Sequence, residues 1–304
     1  MRKQRVISAI ILLAISITAI VFGGYVFGAF VFLCICAGLY EVFKAFEQKE
    51  LRPLKIPGFC FALIFALQVI FREADIFHIY LPFKKDVWQM KADGTAEAAE
   101  NAVDPYRFSW TGPLCIVLLL VILTVMVLKH NKYTPVDAAV TVFGGVYVTF
   151  LTSYAFSLRE LDGGKGGLFI LLLAMLTDVA ADTAAYEIGS RIGKHKLIPA
   201  VSPKKSVEGS IAAFGGSIIA SLILGVLFIY TGWFTKLALY WYPVIGLVTG
   251  FLSQVGDLAA SMIKRYAGIK DFSNLIPGHG GILDRLDSLI FIFPFVYYFV
   301  RLVM

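Results

Sequence analysis

The sequence predicts an all-α polytopic membrane protein with about nine transmembrane helices and polar motif loops between them. Of its 304 residues, 59% are hydrophobic, and the mean hydropathy is +0.79. Only 16% are charged, whereas a soluble domain carries roughly 25% charged residues. The apolar residues are gathered into runs close to the ~20 residues that a helix needs to cross a bilayer.

Nine such runs follow one another along the chain. They are 6–22, 25–43, 56–71, 110–128, 136–156, 167–186, 210–230, 237–263 and 286–303. The opening MRKQR before the first run is typical of a secretory signal, but no small-residue cleavage site follows it. We therefore expect a retained first helix.

The Lys and Arg residues predict the orientation of these helices. With the N-terminus in the cytoplasm, 18 of the 27 Lys and Arg residues fall on the cytoplasmic side. Five of the other nine lie at or within one long outer loop, 73–108, and long loops weigh little in orientation. We therefore expect a multi-pass protein of the cytoplasmic membrane. The basic residues are spread over short loops, so we expect no nucleic-acid partner.

Polar residues divide the chain into two predicted regions. Residues 1–165 form a scaffold of about five helices whose spans are almost free of ionisable groups. Asp137, after Thr134-Pro135, is placed to cap the fifth helix. Residues 166–304 hold the polar motifs, and ionisable groups inside apolar sequence usually mark function.

The first motif, 177–210, reads TDVAADTAAYEIGSRIGKHKLIPAVSPKKSVEGS. Asp178, Asp182 and Tyr186 are four residues apart and share one helix face. The SPKKSVEG block offers hydroxyls and adjacent lysines before a helix that begins near Gly209, which suits the binding of phosphate oxygens. The alternative is an ordinary basic loop on the cytoplasmic side.

The second motif, 253–265, reads SQVGDLAASMIKR. Its polar residues recur at helical spacing and form one stripe on an apolar helix: Ser253, Asp257, Ser261 and Lys264. An aspartate at membrane depth is costly unless it faces a wet cavity, a cation or a metal. The alternative is a structural pair between Asp257 and Ser261 or Lys264.

The third motif, 270–288, reads KDFSNLIPGHGGILDRLDS. Backbone N–H groups of its PGHGG turn can approach an anion closely. Asp284 and Asp287 are three apart, and we expect both on one face at the start of the last helix. A divalent cation would relieve their repulsion. Glycine turns and helix-start aspartates are also common structural devices.

Together these motifs resemble the phosphatidate cytidylyltransferases, also called CDP-diacylglycerol synthases. SMIKRYAGIKDFSNLIPGHGGILDRLD, 261–287, fills every position of the signature of that family. Gly256-Asp257 stands where the family has its Gly-Asp, and the DTAAYEIGSRIG and SPKKSVEG blocks are similar to its upstream motifs. The resemblance covers about 175–290. Asp178 is an extra acid outside the pattern.

The resemblance implies a nucleotidyltransferase of phospholipid biosynthesis. Its reaction converts CTP and phosphatidic acid to CDP-diacylglycerol and pyrophosphate, by metal-assisted attack of the lipid phosphate on the α-phosphorus of CTP. Mg²⁺ is the implied cofactor, and a second cation is left open. CTP, phosphatidic acid and the bilayer are the implied partners, and a homodimer is also left open.

The resemblance also implies roles for individual residues. Asp257, Asp284 and Lys264 are expected to carry catalysis, and Asp257, Asp284 and Asp287 to hold the metal. The residues expected to bind substrate are Asp182, Tyr186, Ser202, Lys204, Lys205, Ser206, Glu208, Arg265, Lys270, His279, Gly280, Gly281 and Arg285.

Two rival functions use the same residues. A CTP-dependent kinase acting on an isoprenoid alcohol would release CDP, and it would gain from a general base such as His279 because an alcohol must lose a proton. A transporter or channel would use Asp178, Asp182 and Asp257 as a cation path, but no internal repeat is visible. The spacing of the CDP-alcohol phosphotransferases, DGxxAR followed by GxxxDxxxD, is absent from the sequence.

Overall fold

A computed structural model describes residues 2–72, 88–90, 96–98, 111–276, 278 and 280–304, and most of these residues are helical. The α-helices are α1 (Arg2–Phe22), α2 (Gly24–Glu47), α3 (Lys55–Arg72), α4 (Thr111–Leu128), α5 (Pro135–Gly144), α6 (Leu151–Arg159), α7 (Lys165–Ile192), α8 (Val207–Tyr230), α9 (Trp241–Ala267), α10 (Leu283–Leu286) and α11 (Leu289–Val303). A π-helical turn, Gly145–Phe150, joins α5 to α6, and a 3₁₀ turn, Leu161–Gly164, joins α6 to α7.

Several of these helices have the length and apolar composition of membrane spans. Within the described residues, five helical segments qualify by both measures: Gly24–Glu47, Pro135–Arg159, Leu161–Ile192, Val207–Tyr230 and Trp241–Ala267. Four shorter apolar helices, Ile10–Phe22, Lys55–Val69, Gly112–Leu128 and Leu289–Val303, coincide with the remaining predicted runs. The all-α, multi-pass membrane class is therefore confirmed, whereas the count of nine spans and the orientation of the loops stay predictions. The division at residue 165 also stays a prediction.

Two small antiparallel sheets interrupt the helices. Strands β1 (Trp88–Met90) and β2 (Ala96–Ala98) fall within the predicted outer loop, most of which lies outside the described residues. Strands β3 (Lys196–Ile198) and β4 (Ser202–Ser206) form a hairpin that leads directly into α8. The SPKKS block is therefore a strand, held beside α7 and α8, and not a free loop.

Hydrogen bonds at the start of α5 show which residue caps it. Thr134 is the N-cap residue, and its Oγ1 accepts from the Asp137 backbone N–H at 3.3 Å. Asp137 Oδ2 accepts in return from the Thr134 N–H at 2.7 Å. This reciprocal pair is a capping box. Asp137 is thus the third residue of the helix, the partner of the cap in this box, and not the cap itself.

The last span begins later than the sequence predicts. A break at Asp287 and Ser288 separates α10 from α11, so Asp284 lies in α10 and Asp287 lies between the two helices. At this break α9 touches the chain, because a Cβ on Gly256 would lie 2.5 Å from the Asp287 carbonyl oxygen. The predicted start of the last span at 286 is therefore three residues too early, whereas Asp287 and Ser288 keep right-handed helical φ and ψ across the break.

Small residues bring α8 and α9 close together. Gly246 and Gly250 of α9 are four residues apart and face Ser221 and Ser217 of α8, which are also four apart. A Cβ on either glycine would lie 2.3 Å from the facing serine oxygen. Contacts of this kind drive helix association in lipid, where burial of apolar surface adds little. They hold the polar stripe of α9 in a fixed place.

Candidate active site

Four aspartates meet where α7, α9 and the α10–α11 break converge. We call Asp178, Asp182, Asp257 and Asp287 the carboxylate cluster. Asp178 is within electrostatic range of Asp182 and Asp257, and Asp287 is within range of Asp257 and Asp178. Like charges so close repel one another. The cluster therefore favours a cationic or metal-bearing partner.

Two lysines supply part of the balancing positive charge. Lys205 Nζ of β4 lies 2.7 Å from Asp257 Oδ2, and Lys264 Nζ of α9 lies 2.8 Å from Asp284 Oδ1. The Lys264–Asp284 pair is the deeper one, with side-chain exposures of 13% and 6%, against 25% and 33% for Lys205–Asp257. Each pair joins two different motifs of the sequence.

Asp284 also organises the loop before α10. Its Oδ2 accepts hydrogen bonds from the backbone N–H groups of Phe272 and Gly281, both at 2.9 Å. Lys264 Nζ, already bound to Oδ1, lies 5.4 Å from the centroid of the Phe272 ring, a cation–π distance. Both oxygens of the carboxylate thus have partners that fix the loop against α9.

Backbone conformation and a neighbouring carboxylate explain two of the glycines in the PGHGG turn, Gly280 and Gly281. Gly280 has a φ of +83°, which side chains rarely tolerate. A Cβ on Gly281 would lie 2.5 Å from both carboxylate oxygens of Glu41. Sterics alone therefore require glycine here. Whether the turn also shapes a nucleotide pocket stays a prediction, and His279 lies outside the described residues.

Asp178, the acid outside the family pattern, is an integral part of the cluster. Only 6% of it is exposed, and its Oδ2 accepts from Ser288 Oγ at 2.8 Å. Its Oδ1 and the Oγ of the buried Ser253 form no hydrogen bond of good geometry, but Ser253 lies within reach of both Asp178 and Asp182. Buried polar atoms need partners, and at this position either Ser253 or a bound ligand can supply one.

Several predicted binding residues have structural partners instead. Ser206 is the N-cap of α8, with its Oγ accepting from the Gly209 N–H at 3.2 Å. Glu208 Oε1 lies 2.7 Å from His195 Nδ1. Arg265 Nε donates to the Val201 carbonyl at 3.3 Å. These contacts attach the β3–β4 hairpin to α8 and α9, and a contact of these residues with substrate stays a prediction.

Asp182 is the exposed member of the carboxylate cluster, within electrostatic range of Asp257 and Lys205. The other predicted residues lie outside the cluster. Ser202 is partly exposed, and Lys204, Lys270 and the 72% exposed Tyr186 face outward. Arg285 lines an apolar cavity of about 150 Å³ between α1, α2, α6, α7 and α11.

Two residues important for the site were missed from the sequence. Glu41 of α2 is 1% exposed and hydrogen-bonds the loop before α10. Ser288 holds Asp178. A single acid in an otherwise apolar run could have pointed to Glu41, because such a residue is rare inside a span. Nothing in its spacing identifies a partner more than 230 positions away.

The oxygen ligands that the carboxylate cluster offers fit a magnesium ion. Within the described residues, no three His, Cys, Asp or Glu side chains are arranged as a ready metal cage. Mg²⁺ does not need one, because it is usually held by one or two carboxylates together with substrate phosphates and water. The cluster offers hard carboxylate oxygens, among them those of the buried Asp178.

Comparison with known proteins identifies the family. The family model described as "Cytidylyltransferase family" matches residues 3–303. The chain belongs to this family. The predicted resemblance and the prediction of a nucleotidyltransferase enzyme are thereby confirmed. All three motifs of this cytidylyltransferase family member fall inside the matched range.

Named relatives agree with this assignment. The phosphatidate cytidylyltransferase of Synechocystis is 34% identical over 291 residues, covering 80% of this chain and 94% of the relative. That of Bacillus subtilis is 35% identical over 192 residues, covering 62% and 68%. That of Staphylococcus saprophyticus is 37% identical over 191 residues, covering 61% and 69%.

Proposed function

We propose that this chain is a phosphatidate cytidylyltransferase. An oxygen of the phosphate monoester of phosphatidic acid attacks the α-phosphorus of CTP. The new P–O bond forms as the bond between the α- and β-phosphates breaks, and CDP-diacylglycerol and pyrophosphate are released. The family and its named relatives support the activity, and the site supports the assignment of roles.

The observation that carries the proposal is the convergence of three separate motifs through two lysine–carboxylate pairs. Lys205 comes from the first motif, Asp257 and Lys264 from the second, and Asp284 from the third. Phosphate oxygens can replace either carboxylate as the partner of a lysine, since a lysine ammonium is a compact charge with rotatable donors. The pairs therefore hold cationic groups ready beside the carboxylate cluster.

This chemistry needs charge neutralisation more than a base. A lipid phosphate monoester is largely deprotonated near neutral pH, by analogy with a second phosphate pKa of about 6. It can therefore attack without losing a proton to the protein. Two anions must nevertheless approach each other, and pyrophosphate must leave. Positioning and electrostatic stabilisation are the main contributions to such a transfer.

Mg²⁺ belongs to the proposal as the cofactor. Asp257, Asp284 and Asp287 would hold it, and the buried Asp178 lies in the carboxylate cluster with Asp257 and Asp287. Bound there, it would neutralise phosphate charge and favour the departure of pyrophosphate. Lys264 and Lys205 would contact phosphates, and Arg265, Lys270 and Arg285 would add positive charge around them.

The proposed topology places this chemistry where both substrates meet. Nine spans with a cytoplasmic N-terminus put all three motif loops on the cytoplasmic side. The lipid acceptor then keeps its acyl chains in the bilayer while its phosphate reaches cytosolic CTP. The positive-inside bias of the Lys and Arg residues supports this orientation. A homodimer remains compatible with the proposal.

The activity is tested with purified protein in mixed detergent–lipid micelles. CTP and Mg²⁺ are supplied with either phosphatidic acid or an isoprenoid alcohol, and the products are identified. We expect pyrophosphate and CDP-diacylglycerol, dependent on phosphatidic acid. CDP together with a phosphorylated alcohol would assign the chain to the kinases instead. No turnover with either acceptor, in well-folded protein, would favour the transporter.

A variant pair tests the assignment of Asp284. Asp284→Asn should abolish turnover while the protein remains folded at the assay temperature, as checked by size-exclusion chromatography. Glu187→Gln makes the same kind of change at an outward-facing residue of α7 that pairs with Arg191, and it should retain full activity. Normal turnover in Asp284→Asn would remove Asp284 from the catalytic site.

A further inference from the structure

Glu41 is a buried carboxylate in the part of the chain that the sequence indicates as scaffold. It lies in α2 between the fully buried Leu39 and Val42, and only 1% of it is exposed. A buried carboxylate is costly unless hydrogen bonds satisfy it. Its position therefore requires specific partners.

Those partners all come from the third motif. Glu41 Oε1 accepts from Ser273 Oγ at 2.6 Å and from the Ile282 N–H at 3.0 Å. Glu41 Oε2 accepts from the Leu283 N–H at 2.8 Å. None of these three groups is a cation. These three hydrogen bonds therefore connect the Glu41 carboxylate to one loop, which lies 232 to 242 positions further along the chain.

Glu41 and Asp284 hold the same turn from two sides. Asp284 binds the N–H groups of Phe272 and Gly281, and Glu41 binds the next two N–H groups along the chain. Gly281 fits between them, since a Cβ there would lie 2.5 Å from the Glu41 oxygens. The place of Asp284 relative to Lys264 therefore depends on a side chain of α2.

We propose that Glu41 is a positioning residue for the reaction. It touches no substrate. It fixes the backbone of residues 281–283, so that Asp284 and Asp287 stay in register with Asp257 and Lys264 of α9. This inference rests on the proposed function, because its activity readout is CDP-diacylglycerol synthesis.

Glu41→Gln is the decisive variant. Glutamine keeps the size of the side chain but replaces one acceptor oxygen with an NH₂ group, which then faces a backbone N–H. Loss of a side chain that holds metal-binding or catalytic groups in place typically lowers metal affinity or activity about 10- to 100-fold. We expect kcat to fall about 10- to 100-fold, a larger change than the one in KM for CTP, since the variant removes no side chain that is proposed to contact the nucleotide. Glu47→Gln is the matched control on the same helix, because Glu47 is partly exposed and pairs with Lys55.

A second readout does not depend on turnover. Hydrogen exchange should become faster in peptides covering residues 270–288 of Glu41→Gln and stay unchanged elsewhere. Ser273→Ala removes one contact from the loop side and should lower kcat about 3- to 10-fold. Because the two side chains touch, the effects of the two changes should not be additive.

The outcomes separate this inference from the proposed function. Absence of CDP-diacylglycerol synthesis by the unaltered protein would contradict the proposed function alone. An active unaltered protein, together with a folded Glu41→Gln variant of equal kcat and unchanged exchange in residues 270–288, would overturn the positioning role. If Glu41→Gln does not fold, Ser273→Ala decides: an unchanged kcat overturns the inference, and a reduced kcat with faster loop exchange supports it.

Discussion

Replacing Lys264 with methionine tests how the site is held together. Lys264 Nζ lies 2.8 Å from Asp284 Oδ1, and both side chains are largely buried, with exposures of 13% and 6%. Methionine keeps much of the volume and removes the charge. Asp284 then keeps its two backbone N–H donors but loses its only cationic partner within the described part of the chain.

The expected loss of stability in Lys264→Met follows from the burial of its ion pair with Asp284. Removing one partner of a buried ion pair typically costs about 3–5 kcal/mol, because the other charge is left uncompensated. At roughly 2 °C per kcal/mol this lowers the apparent Tm by about 6–10 °C. Lys205→Met is the comparison, since its pair with Asp257 is as short but more exposed. Solvent screening reduces that loss to about 1 kcal/mol or less.

The assay is thermal denaturation of detergent-solubilised protein, with the folded fraction followed by size-exclusion chromatography. The double variant Lys264→Met/Asp284→Asn should lose less stability than the sum of the two single variants, because removing both charges avoids the uncompensated one. Equal small losses in Lys264→Met and Lys205→Met, or additive losses in the double variant, would refute this account of the ion pair.

Three further predictions use other features of the structure. Gly281→Ala should reduce kcat at least 10-fold, because its Cβ would meet the Glu41 oxygens at 2.5 Å. Gly112→Ala should leave kcat unchanged, because its Cβ would meet no atom of the described residues within 4 Å; equal activity of both variants would contradict this. Arg159→Lys should lower stability by about 2–4 kcal/mol in thermal denaturation, because the buried guanidinium donates to three backbone carbonyls; an unchanged Tm would show that these bonds are dispensable. Chelation of divalent cations should abolish turnover, and added Mg²⁺ should restore it; full activity in the presence of chelator would remove the metal from the mechanism.

Helical spacing predicted the part of the site that lies on continuous helices. The stripe on α9 was visible because Ser253, Asp257, Ser261 and Lys264 recur at three or four residues, and the structure directs Asp257 and Lys264 toward the other motifs. The sequence alternative, a structural pair of Asp257 with Ser261, is also present as a long 3.4 Å hydrogen bond. Local periodicity identifies a face but not the partner on that face.

The contacts between distant segments were not predictable in this way. Glu41 reaches Leu283 across 242 positions, and no local pattern encodes that pairing. The break between α10 and α11 was missed for a similar reason. The run from 286 to 303 is apolar enough to predict one helix, while the interruption at Asp287 and Ser288 lies where the chain touches α9 at Gly256.

The measurement that tests the central claim most directly follows the oxygen atoms of the lipid phosphate. Phosphatidic acid labelled with ¹⁸O at its three non-bridging phosphate oxygens is converted with unlabelled CTP, and the products are examined by mass spectrometry and ³¹P NMR. Attack of the lipid phosphate on the α-phosphorus predicts all three labels in CDP-diacylglycerol, one of them bridging the two phosphorus atoms, and none in pyrophosphate. Release of CDP, or loss of label from the lipid phosphate, would contradict the account.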